Sequence, residues 1–232
     1  MTAQASRIAQ RFSRRLIPFD VGYVTSFAQK VTEEALKYLL GIVPDNDAIG
    51  DHLRAGTICA ADNLTLRTVK GVDTEFRVQL VVGKVSRDDR YTFGHYDSER
   101  QAIVVFLSPG WTSEDLGRRS YEVINKVKSI VIHEVTHALD IIDRRRRDPD
   151  LEVYYNSPHE VKAFARQVID EAGRILKGLR LKSRASKKPM LQGASLVEAL
   201  LSESPTWREV GKHLNSSNNR YVRQILVREL DL

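Results

Sequence analysis

Between residues 22 and 41, apolar side chains recur at Val24, Phe27, Val31, Ala35, Leu39 and Leu40 with Lys and Glu between them. That period, near 3.6 residues, predicts an amphipathic helix. The following segment, Asp45–Asp73, has weak periodicity and reads as irregular chain or short elements. Phe76, Val78, Leu80 and Val82 then alternate with Arg77, Gln79 and Val81, the pattern of a strand with one buried face. A second strand, Ala102–Leu107, is reached from Gly94-His95-Tyr96-Asp97 through a polar turn and is stopped by Ser108-Pro109-Gly110.

Residues 119–143 place Val123, Val127, Ile130, Val131, Val135, Ala138, Leu139 and Ile142 on a broad apolar face, wide enough for a helix at the centre of a domain. A further helix opens with Ser157 as its cap, Pro158 at the first helical position and Glu160 three residues after the cap, and runs to about Leu176. Residues 177–190 collect Lys177, Arg180, Lys182, Arg184, Lys187 and Lys188 among few apolar anchors, which predicts a solvated linker. The division is drawn there: residues 1–185 form the main domain, and 186–232 a small basic tail of short helices over Leu196–Leu201, Thr206–Leu214 and Asn219–Leu230. Strands in one block and helices in others make the expected class α+β, with additional N- and C-terminal helices.

Composition narrows the function. A chain of 232 residues can bury a core without staples, and its single Cys59 can build neither a disulfide nor a cysteine metal cluster, so a reducing, cytoplasmic setting is expected. The stretch Met1–Phe19 carries Arg7, Arg11, Arg14 and Arg15 but no continuous apolar run followed by a small-residue cleavage site, so neither a secretion signal nor a membrane partner is expected. The net charge of +6 allows nucleic acid or another acidic partner without requiring one.

The chemistry concentrates in His133-Glu134-Val135-Thr136-His137, which fits H-E-x-x-H well inside the predicted central helix. At about 100° per residue the two histidines lie one turn apart on one face, so both imidazoles can reach one ion. Zinc suits such ligands and brings the pKa of bound water toward about 7, leaving Glu134 beside it to accept a proton.

Three carboxylates compete to be the third ligand. Asp140, three residues past His137, shares its face and is placed to hydrogen-bond a ligating histidine. Asp143 stands at the offset used by metzincins, but Asp140 occupies the position where that family has its turning glycine. Glu160, 23 residues after His137 at the start of the next helix, matches the gluzincin arrangement of two packed helices and is the choice. The competing reading makes Glu160 only the capping-box partner of Ser157. His159, Tyr154 and Tyr155 can donate to a developing oxyanion, with Tyr155 and His159 carried forward as catalytic candidates. His95 and Tyr96 read as fold residues, His52 and His213 as surface, and Arg144–Arg147 as a solvated helix end.

His133-Glu134-Val135-Thr136-His137-Ala138-Leu139-Asp140, followed by Tyr154-Tyr155-Asn156-Ser157-Pro158-His159-Glu160-Val161-Lys162-Ala163-Phe164, resembles minimal gluzincin peptidases, including small phage-encoded and ImmA/IrrE-like ones. The resemblance spans roughly residues 75–176. It implies a small antiparallel sheet packed on two zinc-binding helices, with Ala102–Leu107 as the edge strand that docks an extended peptide by strand addition. Zinc is then the cofactor and a protein or peptide the substrate; a phage origin would make the protein virion-associated. The function expected is a zinc-dependent endopeptidase. The alternatives are a non-enzymatic zinc-containing module that binds nucleic acid, a virion or a host component, and a regulatory protease of a DNA-associated protein, for which Thr206–Leu230 gives a faint helix-turn-helix outline.

Overall fold

The computed structural model describes residues 19–67, 73–83, 93–139, 151–186 and 191–232. Asp140, Asp143 and Arg144–Arg147 lie outside the described residues, as do Lys187, Lys188 and nearly all of the arginine-bearing N-terminal stretch. The fold is α+β, and it divides into two compact units: Pro18–Ala138, and one that includes Leu139–Leu232.

In the first unit, α1 (Val21–Ile42) begins where the Asp20 carboxylate accepts from the Tyr23 N–H at 2.9 Å, satisfying one of the amide groups a helix start leaves open. Its stripe of Val24, Ala28, Val31, Ala35 and Leu39 is buried and meets the sheet. A short α2 (Ile49–His52) leads into β1 (Ile58–Arg67), then β2 (Asp73–Val82), β3 (Phe93–Asp97) and β4 (Ala102–Leu107). α3 (Ser113–Arg118) follows, opened by a capping box between Thr112 and Asp115, and then α4 (Ser120–Leu139).

The four strands lie in the order β1-β2-β4-β3, so the sheet is mixed rather than antiparallel. β1 runs antiparallel to β2 and β3 antiparallel to β4, but β2 and β4 are parallel, in register from Arg77 opposite Ala102 to Val82 opposite Leu107. The chain leaves β2, makes the outer strand β3 first, and turns back through β4 into the gap between them. Ala102–Leu107 is therefore an inner strand, and β1 and β3 are the edges. Its composition agrees: Ala102, Ile103, Val105 and Leu107 are all buried, a nearly continuous apolar run of the kind an inner, doubly covered strand carries.

β1 corrects the irregular reading of the segment before it. Cys59, Leu64 and Leu66 are buried, but the Ala-Ala-Asp-Asn stretch from Ala60 to Asn63 and a register break between Ile58 and Ala60 damp the period of two. Burial pushes the Cys59 thiol up to about 11. At pH 8 the thiolate of the folded chain is thereby about 100-fold scarcer than in the unfolded one. Reaction with Ellman's reagent should slow by about that factor relative to the chain in guanidinium; equal rates would show Cys59 to be accessible.

Gly94 on β3 marks a close approach of sheet and helix in this unit. A Cβ there would lie 2.3 Å from Ile130 Cγ2, 3.2 Å from the Val104 carbonyl oxygen and 3.4 Å from Glu134 Cγ. Gly94→Ala should cost about 1–3 kcal/mol by overpacking. Ile130→Ala in the same chain should recover part of that loss in a denaturant titration. Additive losses from the two changes would mean that strand and helix do not touch there.

The second unit is helical: α5 (Leu151–Asn156), α6 (Pro158–Ser186), α7 (Gly193–Glu203), α8 (Pro205–Val210) and α9 (Ser216–Leu230). One face of α6, with Val161, Ala165, Val168, Ile169, Ala172 and Leu176, packs with Leu196, Val197, Leu200 and Leu201 of α7 and Val222, Ile225 and Leu226 of α9. The buried Glu171 carboxylate accepts from Ser204 Oγ at 2.5 Å and from Thr206 N and Oγ1 at 3.1 and 2.7 Å, which pins the start of α8 to α6. Residues 177–186, expected as linker, continue α6; Lys, Arg and Leu are good helix formers, and Leu176 and Leu179 keep an apolar side against the neighbouring helices. The division expected near 186 falls at the end of α6, inside this unit, while the compact units part between Ala138 and Leu139.

Candidate metal centre

α4 carries an apolar, buried face in the first unit. Val127, Val131, Ile132 and Val135 are fully buried, and the helix carries the polar residues His133, Glu134 and Thr136 into that setting. Thr136 resolves its burial locally, its hydroxyl donating to the Ile132 carbonyl at 2.8 Å. His133 and Glu134 are 8% and 7% exposed, and His137, one turn on, is half-buried. The two imidazoles meet edge to face, ring centres 4.5 Å apart, with their Nε2 atoms 2.8 Å from one another. At that distance one imidazole donates its Nε2–H to the other's Nε2, and the same two nitrogens face a common point. The ligand nitrogens of a tetrahedral zinc stand about 3.3 Å apart, so the donors fit such an ion after a small ring rotation.

Glu134 lies under β3, its Cγ near the backbone of Gly94, so that its carboxyl-bearing stem is sandwiched between α4 and the sheet edge. β3 pairs with β4 through Phe93 to Asp97, and its other side is the edge of the sheet. His95, on the same strand, stacks on Phe106 with ring centres 5.4 Å apart, and Tyr96 meets Phe76 edge-on at 5.9 Å; both are fold residues, as expected.

In the second unit, Glu160 sits in the first turn of α6, where the helix dipole favours a carboxylate, and is buried. His159 Nε2 is 3.7 Å from Glu160 Oε1, an ion pair when the imidazole is protonated. The Ser157 hydroxyl donates to the Tyr154 carbonyl at 2.8 Å.

Tyr155 occupies an aromatic nest. It stacks on His213 with ring centres 4.7 Å apart and planes 9° from parallel, and tilts against Phe164 at 5.6 Å. Burial, and then the charges of Glu209 and Glu160, hold its phenol above the ordinary tyrosine value, so the group stays protonated and able to donate. His213 is thus a half-buried partner of Tyr155 rather than a surface residue. Its position is set by Asn156, whose Nδ2 donates to the His213 carbonyl at 2.8 Å while its Oδ1 accepts from Asn215 N at 2.7 Å and Asn218 Nδ2 at 3.0 Å. Sequence reasoning missed Asn156, His213 and Gly94 as site-shaping residues. Only Gly94 carried a signal, since glycine inside a strand marks a close approach. His52, hydrogen-bonded to Asp47 at 2.8 Å, is exposed as expected.

Comparison with protein-family models, with curated proteins and with solved structures gives no match. Among the described residues, no helix is long and apolar enough to cross a membrane.

Proposed function

We propose that the chain is a zinc-dependent endopeptidase of gluzincin type, with His133, His137 and Glu160 as ligands and Glu134 as general base. The observation that carries the reading is the pair of buried His133 and half-buried His137, with ring nitrogens 2.8 Å apart, next to the buried Glu134, which takes no part in that contact. Zinc, when bound, supplies Lewis acidity, which polarises a carbonyl and makes water acidic near neutral pH.

The protein's own residues divide the remaining work. Glu134 takes a proton from the attacking water and passes it to the leaving amine. Tyr155 and His159 donate to the oxygen on which negative charge develops. β3, as an edge strand beside Glu134, offers main-chain groups to an extended peptide, taking the role first given to Ala102–Leu107. A purely structural zinc site has no use for a carboxylate beside an open position, which sets the reading apart from a non-enzymatic module.

The test is digestion of casein and a peptide library by the purified chain. Cleavage that stops with chelator and returns on adding zinc is expected. A zinc-bearing chain that cleaves neither substrate would leave a binding module instead.

A further inference from the structure

The net charge is not evenly spread. Residues 1–138 hold 18 Lys and Arg against 17 Asp and Glu, while residues 139–232 hold 18 against 13, so nearly all of the +6 belongs to residues 139–232. Within it, no acidic residue occurs between Glu171 and Glu198, an interval that contains Arg174, Lys177, Arg180, Lys182, Arg184, Lys187 and Lys188. The last ten residues of α6 fall in this interval as regular helix, with Lys177, Arg180, Lys182 and Arg184 exposed. Arg174 is paired with Asp170 at 2.7 Å, whereas among the described residues no ion pair involves the four that follow.

The spacing orders these charges. At about 100° per residue, Lys177, Arg180 and Arg184 fall within an arc of about 60°. They extend about 10 Å along the axis, a distance that matches roughly three phosphate-to-phosphate steps of one nucleic-acid strand at about 3.4 Å of axial rise each. Like charges set this close repel one another in the free protein, and a polyanion relieves that repulsion.

We infer that the C-terminal third of α6 is a binding face for the phosphodiester backbone of nucleic acid, with Lys177, Arg180 and Arg184 as its contacts. Two other kinds of anionic partner fit the surface less well. A membrane-surface helix turns a continuous apolar face to the lipid. Here Leu176 and Leu179 are spent on the core shared with α7 and α9, and Leu181 is the one large apolar residue of this stretch that is strongly exposed. A protein partner is anchored by an apolar or aromatic centre, which the same face lacks. With only backbone contacts available, binding is sequence-independent and strongly salt-dependent. The inference stands apart from the zinc reading: a catalytically silent chain would bind equally well.

The test uses the full chain and fluorescence anisotropy with a labelled 20-base-pair duplex DNA and a 20-nucleotide single-stranded RNA, titrated across salt. A variant carrying Lys177→Gln, Arg180→Gln and Arg184→Gln should lose at least tenfold in affinity at 50 mM salt. Its slope of log K against log salt on the duplex should be shallower by about 2.7, as three phosphate contacts require. A control of equal charge change at exposed positions of the first unit, Lys37→Gln, Arg54→Gln and Arg77→Gln, should keep both affinity and slope, with circular dichroism of all three proteins alike. The inference is overturned if the α6 variant binds as wild type, if the control loses as much, or if the wild type binds phosphatidylserine vesicles and neither nucleic acid.

Discussion

Glu134→Gln should lower peptide hydrolysis by about 10²–10⁴ while zinc content and melting temperature stay near wild type. The substitution keeps the volume and helix compatibility of a side chain wedged between α4 and Gly94, so packing against β3 is preserved. What it removes is the basic oxygen. The amide cannot take a proton from water, although both imidazoles and Glu160 remain. Kinetics on a fluorogenic peptide, with metal measured in the same samples, would check this. Wild-type turnover by a metal-loaded Glu134→Gln protein would exclude Glu134 as the base.

The second large effect concerns the ligands. His133→Ala or His137→Ala should abolish copurifying zinc, because the two remaining donors are too few for tight binding. Glu160→Ala should weaken zinc binding far more than Asp143→Ala, and Asp140→Ala should cost about 10–100-fold through a loosened histidine. Competition with a zinc-sensitive dye gives all five affinities. If Asp143→Ala is the variant that empties the site, the third ligand follows the first two on the same stretch of chain and the metzincin-like offset is the correct one.

Those two predictions draw on a part of the site that was legible because it is local. An i, i+4 pair of histidines on a strongly apolar helix is fixed by helical geometry alone, and burial of His133 and Glu134 follows from Val131, Ile132 and Val135 around them. β2 was legible for the same reason, since Phe76, Val78 and Leu80 alternate cleanly. β1 was not, because alanines and a register break interrupt its alternation. The parallel pairing of β2 with β4 could not be read at all: alternation says which face a strand buries but not which neighbour it takes, and both antiparallel and mixed orders suit the same pattern.

The misreading of 177–186 has a different cause. Exposed Lys and Arg look the same in a linker and on the solvent side of a helix, and the deciding contacts, Leu176 and Leu179 against α7 and α9, come from sequence far downstream. His213 reads as a surface residue on similar grounds. Its stacking on Tyr155 joins residues 58 positions apart and depends on the hydrogen bonds of Asn156, which no local pattern announces.

The central claim is that two histidines of α4 hold a catalytic zinc with a carboxylate as third protein ligand, and X-ray absorption at the zinc edge of the purified chain reports this directly. The account predicts one zinc per chain, two imidazole shells at about 2.0–2.1 Å, the remaining positions filled by oxygen at about 2.0–2.2 Å, and no sulfur. Absence of zinc after growth in zinc-supplemented medium, or a zinc spectrum without imidazole scattering, would contradict it.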